Sequence, residues 1–227
     1  MLLSRKGEHL FGLHENRAAL AAGATPALVE GPLDAVALTL VGNGRTVGVA
    51  LLGTALTDRQ ADLLDPHIHF GGPGIVVGTD NDTPGQQAAE RIYWQLTARG
   101  DDPRRLAVPV GLDPADLLHR DGATALRTAV QTSSSLADTL LEARLTPTTC
   151  DLGTADIRAA LRHVGTIIAA LPPGRRLAQI DRVTEVLGVP PGTVHRAVLE
   201  GEPVASLSFT NGVPVGPHGS SRHTMSR

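Results

Sequence analysis

The chain has 227 residues, 41% of them hydrophobic, and a formal net charge of −3, which fits one sizeable core and a smaller second unit. A lone cysteine, Cys150, excludes an internal disulfide and a cysteine-rich zinc site, and no apolar run is long enough to span a bilayer. Aromatics are only 2%, so Ala, Leu and Val must fill the core.

Residues 1–8 lack the apolar stretch of a signal peptide, so a cytoplasmic protein is expected. Short apolar runs then alternate with helical periodicity. Strands are expected near 27–30, 46–51, 74–79 and 105–110, and helices near 32–42, 58–65, 84–99 and 114–120. This alternation predicts an α/β fold with a mostly parallel sheet flanked by helices. Helix starts are marked by Thr57-x-x-Gln60 and Thr83-Pro84-x-Gln86, both capping boxes, and by Asp113-Pro114-x-Asp116. From about Thr124 the pattern becomes purely helical: two short helices before Thr146, then helices near 154–171, 175–188 and 192–200. Residues 201–227, rich in Gly, Ser and Pro without periodicity, predict a disordered tail.

Carboxylates end two of the expected strands. Ala27-Leu28-Val29 runs into Glu30, followed by Gly31-Pro32 and Asp34 in the first helical turn. Gly74-Ile75-Val76-Val77-Gly78-Thr79 runs into Asp80 and Asp82. Open α/β sheets bind ligands beyond the carboxyl ends of their strands. Adjacent carboxylates repel unless a cation lies between them, and hard oxygen donors suit Mg²⁺ or Mn²⁺. Helix capping is the competing explanation for each acid, and it is strongest for Asp34, Asp113 and Asp116.

Together, Glu30-Gly31-Pro32-Leu33-Asp34, Leu51-Leu52-Gly53-Thr54 and Asp80-Asn81-Asp82 with Gly85 resemble a Toprim (Rossmann-like) domain. Two further segments, Arg5-Lys6-Gly7-Glu8-His9-Leu10-Phe11-Gly12-Leu13 and Gly111-Leu112-Asp113-Pro114-Ala115-Asp116-Leu117, make the chain similar to the bacterial DnaG-type DNA primases. The resemblance implies a remnant of the primase N-terminal lobe over 1–23, Toprim over 24–122, a helical subdomain over 123–200 and the tail over 201–227. It implies metal-dependent nucleotidyl transfer for RNA primer synthesis in DNA replication, with Glu30, Asp80 and Asp82 catalytic. Glu30, Asp34, Asp80, Asp82 and Asp113 would hold Mg²⁺ or Mn²⁺, and Arg5, Lys6, Gly53 and Thr54 would meet nucleotide or template. Ala115 stands where the family often has another aspartate.

The family's N-terminal zinc ribbon and basic lobe are not in this sequence. Residues 1–150 hold 12 of the 20 basic and 17 of the 23 acidic residues, so no broad basic stripe accompanies the acids. The expected partners are nucleoside triphosphates, single-stranded DNA bound weakly by this chain alone, and a replicative helicase or a separate zinc-ribbon and basic-lobe subunit. A non-catalytic Toprim module binding a replication protein or nucleotide is the alternative. Thr193, His195 and Arg196, after Leu187-Gly188-Val189, fit either a DNA-reading helix-turn-helix or an ordinary helical bundle.

Overall fold

The computed structural model describes residues 6–68, 72–145, 154–201, 208–210 and 213–215. Arg5 and most of the expected tail lie outside the described residues. A short helix α1 (Arg17–Ala21) precedes β1 (Thr25–Val29), α2 (Pro32–Gly42), β2 (Thr46–Ala50), α3 (Asp58–Leu64), β3 (Val76–Gly78), α4 (Thr83–Thr97) and β4 (Arg104–Arg105). After these come α5 (Pro114–Gln131), β5 (Ser134–Ser135), α6 (Leu136–Leu145), α7 (Thr154–Ala170), α8 (Pro173–Leu187) and α9 (Pro191–Gly201). Strands β6 (Ser208–Thr210) and β7 (Val213–Val215) pair antiparallel, inside the segment for which the sequence predicts disorder. Among the described residues no helix is long and apolar enough to cross a membrane.

Five strands form one sheet in the order β2-β1-β3-β4-β5; β1 to β4 run parallel and β5 is an antiparallel edge. Strands β1 and β2 are buried along their whole length, as strands covered on both faces must be. The pleat divides β1 between two cores. Ala27 and Val29 join Val76 and Leu106 beneath α2 and α5, with Leu38, Leu117 and Leu126. Leu28 joins Val49, Ile75 and Val77 on the other face, beneath Ile92, Tyr93 and Leu96 of α4. That second core runs on without a break through α6 to α9, including Leu141, Val164, Ile167, Ile180 and Val194.

Local chemistry accounts for the boundaries. Thr57 forms the expected capping box with Gln60. The box expected at Thr83 is shifted by one residue: Asp82 is the N-cap, and its Oδ1 accepts from the Gly85 N–H at 2.7 Å. Pro84 has no N–H to lose in the first turn, so the chain enters α4 one residue early. Strand β4 is shorter than expected, although the Leu106 N–H still reaches Val77 O at 2.9 Å; Pro109 cannot donate further along. The helix expected to stop at 120 and the next one expected from about Thr124 meet within α5 at Gly122, whose φ of 84° and ψ of 174° are not helical. Beyond Gly122, Leu126 and Val130 still cover the sheet. The antiparallel strand β5 had no counterpart in the sequence reading.

Candidate metal and nucleotide site

Strands β1 and β3 are neighbours, with Val29 opposite Gly78. The chain therefore leaves both strands side by side at their carboxyl ends, through Glu30 on one and Thr79-Asp80-Asn81-Asp82 on the other. The Asp80 backbone N–H lies on the side of the Glu30 carboxylate and favours its charged form. Burial, and then the charges of Asp80 and Asp82, push the Glu30 carboxyl above the usual carboxylate range. Glu30, Thr54, Asp80, Asp82, Gln87 and Arg91 share a pocket of about 160 Å³. Asp82 thus has two roles, because its Oδ1 caps α4 while the residue lines the pocket.

Three features fix the Asp80 loop. Gly85 sits against it so closely that a Cβ there would lie 2.0 Å from Asp80 O. The Thr79 hydroxyl donates to Gly85 O at 2.8 Å. Behind both lies Arg105, buried, whose guanidinium donates to Thr79 Oγ1, to Thr79 O at 3.1 Å and to Asp80 O at 3.3 Å. Burial lowers the Arg105 pKa, and the charge of Asp80 opposes that shift. Sequence reasoning missed this arginine because it lies within a strand and belongs to no motif.

The structure separates Asp34 from the Glu30 pocket, where the sequence placed it. Asp34 is buried and faces α5: its Oδ1 accepts from the Ala115 N–H at 3.1 Å, and its carboxyl neighbours that of Asp113. Burial, with the charge of Asp113, pushes the Asp34 carboxyl up to about 6. Asp113 also N-caps α5, accepting from the Asp116 N–H at 2.6 Å. The five acids thus form two groups, Glu30–Asp80–Asp82 and Asp34–Asp113. The Asp116 side chain is exposed and belongs to neither.

Lys6 lies exposed in a 3-10 turn, Lys6–Glu8, tied down through its carbonyl by Gln60 Nε2 at 3.2 Å. The same buried amide holds His9 O at 2.8 Å and Leu51 O at 3.0 Å, so one side chain fixes the N-terminal segment beside the β2 exit. Gly53 and Thr54 are both exposed there, and no atom stands within 4 Å of a Cβ built on Gly53. Leu52 just before them has φ of 60°, rare for a branched residue, while its N–H donates to Glu30 O at 3.2 Å. In the helical half, Thr193, His195 and Arg196 are exposed on α9, and Thr193 and Arg196 share a shallow cleft with Arg158 and Arg162 of α7.

Among the described residues no three acid, histidine or cysteine side chains stand together as a ready metal cage. The donor set still suits a hard divalent cation. It consists of carboxylate oxygens, and Mg²⁺ commonly takes only one or two carboxylates and completes its shell with water and phosphate.

A family model described as Toprim-like matches residues 27–118. The chain is 39% identical over 114 residues to the DNA primase of Deinococcus radiodurans, covering 50% of this chain and 19% of that one. It is similar to the E. coli primase catalytic core at 28% identity and a TM-score of 0.65, covering 84% of this chain and 60% of that one. It is equally similar to a DnaG primase catalytic domain bound to single-stranded DNA, at 27% identity and a TM-score of 0.65, covering 85% and 60%. The chain spans 17% to 35% of the length of the curated primases it is compared with. Over this Toprim-like region and the helices packed behind it, the chain is similar to the DnaG-type primases.

Proposed function

We propose that this chain supplies the metal-binding half of a primer-synthesising nucleotidyltransferase that depends on another segment or subunit for its template groove. One observation carries the reading: Glu30, Asp80 and Asp82 converge at the ends of adjacent parallel strands, close enough for Asp80 and Asp82 to raise the Glu30 pKa. Glu30, Asp80 and Asp82 would hold one divalent ion, and Asp34 with Asp113 would contribute oxygens to a second. When bound, Mg²⁺ or Mn²⁺ supplies charge stabilisation for phosphoryl transfer and lowers the pKa of an attacking hydroxyl.

The protein's own groups set the geometry. Arg105 holds the Asp80 carbonyl, and Asp82 is oriented by its cap bond to Gly85. Arg91, exposed on the rim, and Thr54 offer donors to the phosphates of a nucleoside triphosphate. Positioning of this kind provides much of the acceleration in phosphoryl chemistry. Single-stranded DNA as template is supported by the related catalytic domain bound to it. The excess of acid over base in residues 1–150 supports weak template binding by this chain alone. A replicative helicase, or a zinc-ribbon and basic-lobe subunit, would complete the machinery in the cytoplasm.

Primer synthesis by the complete replication complex, with this chain as wild type or Glu30→Gln, tests the proposal. The swap keeps size and hydrogen bonding but removes the charge. Loss of labelled oligoribonucleotide, with an unchanged thermal melt, is the expected result. Full synthesis by Glu30→Gln would leave the module as a non-catalytic scaffold.

A further inference from the structure

The opposite edge of the sheet carries a second cluster of charge, of the other sign. Thr46 opens β2 and Arg104 opens β4, so both lie at the amino ends of the parallel strands, away from Glu30 and Asp80. Beneath them a cleft of about 320 Å³ is lined by Arg45, Arg104, Arg127, Asn43, Thr46 and Gln131 among others, with no acidic residue in its lining. In a chain of net charge −3, three arginines around one acid-free cleft call for an account.

The hydrogen bonds narrow the possibilities. Arg104 donates its Nε to Gly74 O at 3.3 Å, and Arg127 donates its Nε to Val41 O at 3.4 Å. Each guanidinium is thus anchored through one nitrogen, while both Nη groups remain without a partner among the described residues. The Arg45 side chain is exposed and makes no hydrogen bond or ion pair with any described residue. Burial lowers the Arg104 pKa, and the opposing charge it feels is that of Asp101, whose carboxylate is occupied by the Ile75 N–H at 3.1 Å. Carbonyl capping explains the two Nε contacts and leaves the free forks unexplained. A guanidinium held at Nε presents a planar pair of donors suited to phosphate oxygens.

We propose that this cleft binds a compact phosphate-bearing anion, pyrophosphate or the phosphate chain of a nucleotide, at a site separate from the carboxylates. Its size accommodates the phosphates more readily than a whole nucleotide, since ligand sites usually begin near ~300 Å³. The inference stands independently of the nucleotidyl-transfer reading, because a site without metal ligands needs no metal.

Calorimetric titration of the full chain with sodium pyrophosphate in magnesium-free buffer tests it. Saturable binding below about 1 mM is expected, weakened about tenfold or more in Arg45→Ala/Arg127→Ala, as loss of charge-assisted hydrogen bonds requires. Both positions are exposed, and a matching thermal melt confirms that the variant folds. Competition by ATP would assign the site to nucleotide phosphates, and competition by an oligothymidylate alone would assign it to a nucleic-acid backbone. No saturable binding, equal affinity in the double variant, equal affinity for citrate, or loss of binding in Asp80→Asn/Asp82→Asn would each overturn the proposal.

Discussion

Asp34 shows how a single carboxyl couples the site to stability. Its pKa of about 6, and the similar value that burial gives Asp101, lie well above the unfolded value near ~3.9. The folded state therefore binds extra protons between about pH 4 and pH 6. Stability should rise as pH falls through that window, and the contribution is lost as pH climbs past 6. Asp34→Asn, which cannot ionise, should melt above wild type at pH 7.5 by about 1 kcal/mol after allowance for partial solvent screening, with the gap closing near pH 4. Thermal melts across that range check the sign. At this scale the sequence identified which acids end strands, because strand periodicity and position are local properties. The partnership of Asp34 with Asp113 and the buried grip of Arg105 depend on where distant segments meet, which no spacing rule encodes. Arg105→Leu should leave Thr79 O and Asp80 O without their donor and cost about 2–4 kcal/mol. A chemical denaturation midpoint measures this.

The strand–loop–helix unit from β3 to α4 is the element that aims Asp80 and Asp82. Gly85 is the residue it tolerates least, since the helix packs directly on the Asp80 carbonyl. Gly85→Ala should force α4 and the loop apart, costing about 2–3 kcal/mol and weakening metal binding with it. Comparing Gly85→Ala with Gln86→Ala, an exposed position in the same turn, separates this clash from mere helix perturbation. The β and α elements of residues 25–97 were legible because hydrophobic runs, caps and turn residues agree with one another there. Strand β5 was not legible: Ser134-Ser135 carry no β signature, and their pairing with β4 is a product of packing. The one-residue shift of the α4 cap has a similar cause, since Asp82 and Thr83 are both good caps and tertiary fit to Gly85 decides between them.

Over the whole molecule, the sheet and the helices behind it share a core. Tyr93 is fully buried and donates its hydroxyl to Ile167 O at 3.1 Å, joining α4 to α7. Arg175 of α8 reaches Asp102 at 2.6 Å and Asp138 at 3.3 Å. Tyr93→Phe should therefore cost about 1 kcal/mol in a single cooperative transition and leave no separate unfolding step for the helices. Two transitions in a differential scanning trace would show that the halves melt independently. The sequence marked the change from alternating to all-helical pattern near Thr124, and the helical segments on either side of it meet at Gly122, where the backbone leaves the helical region. The claim on which the functional reading rests is that Glu30, Asp80 and Asp82 form a divalent-metal site in the folded chain. Titration with Mn²⁺, followed by the loss of its free electron-paramagnetic-resonance signal, tests this most directly. Wild type should bind Mn²⁺ at sub-millimolar to millimolar concentrations, and Asp80→Asn/Asp82→Asn should not. Equal binding by wild type and that folded variant, or none by either at millimolar Mn²⁺, would contradict the account.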